Sequence, residues 1–463
     1  MTTPLAPPDA DEPMPAPVPA TASRAWWAGV LPVPTLRAAA LLVGAAVLVL
    51  VGPDVIGVWP PLVLVALAVV VDRALAPAPW RIEVARSLPV LIPLDGSGEV
   101  VWRLRNPSAR RITVGIADEL APSLGATTRR IRTPLGPGGR ARASSPLHPR
   151  RRGTFRPTSL TVRVVGPLGL ASRQAPRSLP GRLEVHPSFR SRDAAELRIR
   201  RARILQEGLR SVRGRGGGTE FEALREYVEG DDVRHVDWAA TGRAGHPVVR
   251  TFRAERNQTV IVLLDTGRVV AGLVDGVPRL DHGMDATLAL ATVATNLGDR
   301  IGLVAFGAGV RQIVPPRRQR DQLRRLSGAM HALEPELAES GYHDAFAATL
   351  ARFRRRALLV IITELADEAM QQTLLPALPL ITREHAVVVA SVQDPAVAAL
   401  RDTQPTQATE AYAAAAAGRV LSDRTRAASR LRQLGAQVVD APPDELASQL
   451  ADLYLDVKAR GVL

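Results

Sequence analysis

Gly218–Arg256 reads GTEFEALREYVEGDDVRHVDWAATGRAGHPVVRTFRAER and runs on into Thr259-Val-Ile-Val-Leu-Leu264 and Asp265. Charges of both signs alternate along it, at Glu220, Arg225, Glu226, Glu229, Asp231, Asp232, Arg234, Asp237 and Arg243, interleaved with Tyr227 and Trp238. A solvated loop has no need of that mixture. A segment wedged between two domains has, because buried charges must be paired and hydrogen-bonded. The expectation is an interdomain salt-bridge network around Trp238. The apolar run beyond it reads as a buried strand that ends in an acid.

Downstream, residues 246–463 alternate apolar strand-like runs with helical stretches. Ile301–Phe306, Ala357–Thr363 and His385–Val392 read as buried strands. Asp285–Leu297, Arg318–Leu333, Asp344–Arg354, Thr409–Leu434 and Asp444–Ala459 read as helices. Val248–Phe252 and Thr259–Leu264 read as paired strands. Such alternation predicts an α/β domain with a mainly parallel sheet covered on both faces. Those folds place ligands at the carboxyl ends of strands, which singles out Asp265.

Upstream of the signature, residues 190–245 begin with a basic helix, Ser191–Arg213, and a Gly-rich joint, Gly214–Gly218. They read as a basic linker followed by the signature. The joint lacks the lysine and hydroxyl residue of a phosphate-binding P-loop. Residues 78–189 carry short alternating runs punctuated by Asn106-Pro107, Gly136–Gly139 and Gly166–Gly169, and predict a β-sandwich. Residues 35–74 hold two apolar runs, Leu36–Gly52 and Val55–Val71, separated by Gly52-Pro53-Asp54. Each is near the minimum length for a bilayer span, so the pair predicts a transmembrane helical hairpin. The arginines flank the hairpin and the loop has none. By the positive-inside rule the N-terminus and the large C-terminal part are then both cytoplasmic. Residues 1–34, rich in Pro and Ala, read as a disordered tail.

The net charge is +14, and the only lysine is Lys458. Wholesale use of arginine for lysine explains the charge without a ligand. Attraction to anionic lipid or nucleic acid explains it with one. The run Arg192–Arg215 lacks interleaved aromatic rings, so nucleic acid is not expected. Arg150–Arg152 reads either as a solvated turn or as a contact with the membrane face. Cysteine is absent, which excludes disulfides, thiol catalysis and Cys-based zinc sites.

The signature resembles that of the bacterial family called domain of unknown function 58. The match rests on Gly218, Glu220, Phe221, Leu224, Arg225, Glu226, Tyr227, Gly230, Asp231, Arg234, Asp237, Trp238, Ala240, Thr241 and Arg243. His148–Gly153, the turn Gly166-Pro-Leu-Gly-Leu170 and the tail Ala411–Leu463 resemble the same family. In that turn Gly166 and Leu168 stand where the family has Asp and Phe. The motif Gly298–Phe306 and the order of elements resemble a von Willebrand factor A-like domain. That resemblance implies a magnesium site of the pattern Asp-x-Ser-x-Ser, a later Thr and an Asp. Here the pattern is degenerate. Asp265-Thr266-Gly267 is followed by Arg268 and Val269, Tyr342 stands near the Thr position, and Glu364 follows a strand. No cofactor is expected, and magnesium is the alternative. Asp265 and Glu364 are expected to pair with arginines or cap helices.

No histidine has metal-ligand spacing and there is no nucleophile elbow. Asp231, Asp232, His235 and Asp237 form the one local acid–base cluster. The leading expectation is therefore a non-enzymatic, membrane-anchored adaptor. The family resemblance implies a MoxR-type AAA+ ATPase as its partner. An enzyme using the Asp231–Trp238 cluster and a polyanion-binding membrane protein are the alternatives. Vestigial metal-site or partner-docking candidates are Asp265, Thr266, Gly267 and Glu364.

Overall fold

The computed structural model describes residues 33–51, 58–212, 220–229, 231–253, 258–319, 321–365 and 370–460. Most of the expected N-terminal tail, the loop Gly52–Asp54, the joint Gly214–Gly218 and Gly230 lie outside them. The chain divides into two compact units, Met1–His186 and Pro187–Leu463.

The first unit opens with a short strand β1 (Val33–Pro34) and two apolar helices, α1 (Leu36–Val51) and α2 (Trp59–Leu75). By length and composition, the segment Trp59–Arg81 is apolar enough to cross a membrane, and α1 is a shorter apolar helix. Their side chains are largely uncovered: Leu36 is 90% exposed, Leu50 81% and Leu64 67%.

Ten more strands follow: β2 (Glu83–Ser87), β3 (Leu91–Pro93), β4 (Gly98–Arg105), β5 (Ile112–Asp118), β6 (Arg130–Leu135), β7 (Arg140–Leu147), β8 (Gly153–Phe155), β9 (Ser159–Val165), β10 (Ala171–Ser178) and β11 (Leu183–His186). They form sheets of order β1-β10-β9-β5-β6, β2-β4-β7 and β3-β11-β8. Burial alternates strictly along β5, as a half-covered strand requires. Trp102 from β4 and Leu160, Val162 and Val164 from β9 meet in one core. The Trp102 indole donates to Asp118 at 2.7 Å, and Arg86 pairs with the other oxygen of that carboxylate at 2.5 Å. The buried Asp118 is thereby satisfied on both sides.

The helices are fastened to this unit at one turn. The buried Asp72 near the end of α2 accepts from the backbone N–H groups of Leu168, Leu170 and Ala171 at 2.6, 2.7 and 2.8 Å. A Cβ on Gly166 would overlap the Asp72 carboxyl group. The sequence resemblance leads one to expect an aspartate at 166. Here a carboxylate from α2 occupies that space instead. Thr35, just before α1, donates to the Gly169 carbonyl at 2.5 Å.

The second unit holds a six-stranded sheet in the order Val310–Arg317, Arg300–Phe306, Thr259–Asp265, Leu358–Ile362, Ala386–Val392 and Ala436–Ala441. Its helix and strand ranges begin with α3 (Arg192–Val212), β12 (Glu220–Glu226), α4 (Trp238–Ala244), β13 (Val248–Arg253) and β14 (Thr259–Asp265). A small hairpin, β15 (Leu273–Val274) and β16 (Val277–Pro278), precedes α5 (Arg279–Asn296), β17 (Arg300–Phe306), β18 (Val310–Arg317), α6 (Gln322–Met330) and α7 (Tyr342–Arg352). Then come β19 (Leu358–Ile362), short helical turns over 370–382, β20 (Ala386–Val392), α8 (Pro395–Asp402), α9 (Ala408–Gln433), β21 (Ala436–Ala441) and α10 (Pro443–Ala459).

β14 pairs in parallel with β17 on one side and β19 on the other. Val260, Val262 and Leu264 enter one core cluster, Ile261 and Leu263 the other. Both faces are covered, which is why this strand reads as an unbroken apolar run. The chain moves outward from β14 first to one side and then to the other, so its carboxyl end lies where the winding reverses. The antiparallel β18 is an edge strand, and its Pro315 and Pro316 are tolerated there.

Two expectations need correction. Val248–Phe252 does not pair with Thr259–Leu264; β13 pairs with β12 in a separate two-stranded ribbon. Trp238, expected at the centre of a charge network, is 70% exposed. The stretch expected as a basic linker starts with α3, whose buried Ala195, Ile199 and Ala202 face inward. Ala195 and Ile199 join the same core cluster as α5 and α10.

Candidate functional site

Asp265 closes β14 and is fully buried. One carboxyl oxygen accepts from the Gly267 N–H at 2.8 Å and the Ser340 hydroxyl at 2.6 Å. The other accepts from the Tyr342 hydroxyl at 2.7 Å and the Thr363 hydroxyl at 2.6 Å. The donors come from three places: the turn after β14, the start of α7, and the end of β19. Tyr342 is held in turn by an edge-to-face contact with Phe306, 5.4 Å between ring centroids. Burial, and then the Asp265 charge, push the Tyr342 hydroxyl well above its ordinary pKa, so it stays a proton donor.

Thr266 turns away from Asp265. Its hydroxyl donates to the Phe306 carbonyl at 2.9 Å and receives Arg311 at 3.2 Å. Arg311 also pairs with Glu336 at 3.1 Å. Gly267 is needed sterically, because a Cβ there would overlap the Ser340 hydroxyl. A serine at 267, as the metal motif demands, has no room while Ser340 keeps its place.

These residues do not fit magnesium. A hard cation needs oxygen lone pairs turned toward it in octahedral array. Here hydroxyl and amide protons already occupy the four lone-pair directions of Asp265, and a guanidinium stands beside Thr266. The expectation that Asp265 pairs with an arginine or caps a helix is also corrected: its four partners are neutral.

Glu364, two residues beyond β19, is built differently. It is buried and lies against Arg424 of α9 and against Arg279 of α5, the latter at 3.2 Å. Arg424 reaches Asp440 of β21 at 2.5 Å, the Ser391 hydroxyl at 2.9 Å and the Val392 carbonyl at 3.1 Å. Burial holds the Glu364 carboxyl above its ordinary range, against the pull of Arg424 and Arg279. Here the expected arginine partner is present.

The signature residues shape the ribbon β12–β13 rather than a reactive centre. Arg225 grips Asp231 with two bonds of 2.7 Å, and Asp231 also accepts from the Val228 N–H at 2.9 Å. Asp237 caps α4 through the Ala240 N–H at 3.0 Å and binds Arg250 at 2.9 Å. Those two contacts, the cap first, hold its carboxyl below the usual range. Thr241 accepts from the Val248 N–H at 3.0 Å, and the Tyr227 N–H donates to the Pro247 carbonyl at 2.9 Å. Arg234 and Arg243 are exposed, and Glu220 begins β12. Asp231 and Asp237 are thus each held by one arginine and one backbone N–H. Leu224, Val228, Val233 and Trp238 stand out from the same ribbon, between 45% and 70% exposed.

Ser340, Thr363, Arg311, Arg279, Arg424 and Asp440 were not singled out by the sequence. The hydroxyl residues carry no local signal, and one arginine among so many has none either.

Residues 223–430 match a family model described as protein of unknown function DUF58. Uncharacterized proteins of Mycobacterium bovis and Mycobacterium tuberculosis are 30% identical over 185 residues, which is 39% of this chain and 56% of theirs. The chain thus spans about half the length of the curated relatives it matches. Among solved structures, proximal thread matrix protein 1 of the mussel byssus aligns over 45% of this chain and 48% of its own, with 11% identity and a TM-score of 0.26. An uncharacterized membrane spanning protein from Vibrio fischeri aligns over 44% of this chain and 98% of its own, with 14% identity and a TM-score of 0.16. Likenesses this slight carry no argument.

Proposed function

We propose that this chain is a membrane-anchored, cytoplasm-facing adaptor whose signature ribbon docks a protein partner. In this reading α1 and α2 form a transmembrane hairpin and the first unit is a β-sandwich. The second unit is a von Willebrand factor A-like, Rossmann-type domain with a degenerate metal motif. The uncovered apolar sides of α1 and α2 support the anchor, and the winding around β14 supports the domain type.

The observation that carries the docking role is the ribbon's division of labour. Asp231 and Asp237 are each tied to an arginine and a backbone donor of the same segment, while Trp238, Leu224, Val228 and Val233 face outward. Exposed apolar groups rimmed by charge mark interaction sites, and tryptophan is the residue most enriched at binding hot spots. The sequence resemblance supplies the partner class, a MoxR-type AAA+ ATPase engaged in assembling or maturing another complex. No catalytic step is assigned to the chain.

The test is crosslinking mass spectrometry on the tagged full-length protein in native membranes, with Trp238→Ala and Asp265→Ala alongside. The expected result is an AAA+ ATPase enriched with the wild type and lost with Trp238→Ala at unchanged protein level. Equal yield from Trp238→Ala moves docking off the ribbon. An absence of ATPase from every sample removes the partner.

A further inference from the structure

The outward face of the sheet β1-β10-β9-β5-β6 carries a groove of about 950 Å³. Arg37, Arg130, Arg132 and Arg163 line it, and no acidic side chain does. Among the described residues Arg37, Arg130 and Arg132 form no ion pair. Arg163 donates to a neutral partner, Gln174, at 2.7 and 3.2 Å. Four cations without a facing carboxylate repel one another, and the arrangement is relieved by an anion.

The groove's place in the fold identifies the anion. Its rim includes Leu36 and Arg37, the first residues of α1. The same corner holds the Gly166–Ala171 turn that receives Asp72 from the end of α2. Both apolar helices therefore leave the unit beside the groove. If they span a bilayer, the groove opens at the depth of the headgroups. Leu36 gives it an apolar lip, and the arginines give planar donors that suit phosphate oxygens. Its volume takes a headgroup rather than a lone ion.

We infer that this groove binds the headgroup of an anionic phospholipid at the cytoplasmic face. The inference rests on the membrane-anchored reading. The lipid would neutralise the arginine face and set the height of the sheet against the membrane surface.

The test places the purified full-length protein in phosphatidylcholine nanodiscs with a minor fraction of phosphatidylglycerol. Native mass spectrometry counts the retained lipids of each kind. The groove variant is Arg130→Gln/Arg132→Gln/Arg163→Gln. The charge-matched control is Arg140→Gln/Arg142→Gln/Arg156→Gln, three exposed arginines outside the groove. The expected result is preferential retention of phosphatidylglycerol that falls at least roughly tenfold in the groove variant and persists in the control. Thermal unfolding of both variants checks that the fold is kept. Equal retention in wild type and groove variant overturns the inference, and so does equal loss in both variants. Retention that appears only after residues 1–23 are removed assigns the groove to the acidic leader with Asp9, Asp11 and Glu12, and also overturns it. Flotation with liposomes reads the anchor separately. Failure to float in neutral and anionic vesicles alike overturns the anchor and this inference together, whereas flotation without preferential retention of phosphatidylglycerol in the nanodiscs overturns the inference alone.

Discussion

Asp265 ends β14 and Glu364 lies two residues beyond the neighbouring β19, and both are buried. One carboxyl group is held by neutral donors, the other by two guanidinium groups. Neutral donors satisfy Asp265 through geometry: each of four short bonds fixes a side chain or a turn. The arginines around Glu364 satisfy it through charge, and they must themselves be satisfied, which draws in Asp440, Ser391 and the Val392 carbonyl. The first solution is local and rigid. The second is a chain of dependencies, in which removing one member strands the others.

That contrast predicts an order of effects. Arg424→Ala leaves the buried Glu364 and the half-buried Asp440 without their main cation, so it should destabilise the second unit by roughly 3–5 kcal/mol in thermal or denaturant unfolding. Asp265→Asn keeps the shape but turns one acceptor into a donor facing hydroxyl groups, and roughly 1–3 kcal/mol should be lost. Should Asp265→Asn cost more than Arg424→Ala, the ranking of the two networks is reversed. Tyr342→Phe removes one of four donors and should cost about 1 kcal/mol. Trp238→Ala, on the exposed ribbon, should shift stability by no more than about 0.5 kcal/mol, which makes it a clean probe of docking.

The comparison also has a pH signature. The folded Glu364 carboxyl lies above its ordinary value of 4.5, chiefly through burial. Between the unfolded and the raised folded pKa the native state binds more protons, so stability falls as pH rises through that window. Glu364→Gln should flatten this slope in unfolding experiments across the acid range. Asp285, also raised by burial, keeps its own share of the slope. An unchanged slope in Glu364→Gln would assign the dependence elsewhere.

Much of this was legible in the chain. The run Thr259–Leu264 announces a strand buried on both faces, and its terminal acid falls where the winding reverses. β18 was not legible, because Pro315 and Pro316 argue against a strand unless its edge position is known. Ser340 and Thr363 reach Asp265 from sequence separations of 75 and 98 residues, and no periodicity marks them. Arg424 is hidden by composition: in a chain so rich in arginine, the one that organises a buried network looks like the rest. The lone lysine makes the opposite point. Lys458 sits with Tyr454 against the buried Asp299, and its rarity made it visible. The signature misled for a physical reason. Mixed charge with aromatic residues is compatible with a packed interface, but also with a ribbon that pairs its own charges and turns its ring outward.

The clasp at Gly166–Ala171 has a mechanical consequence. Thr35 and Asp72 fasten two helices to one turn, by bonds that leave it in different directions. A single fastening would act as a swivel. Two on the same bracket resist torsion better than one, and three N–H hydrogen bonds to Asp72 share a load that one alone would carry. The turn is thus a stiff mount, and a load applied to the sheet arrives at the helices as a lever arm rather than as slack.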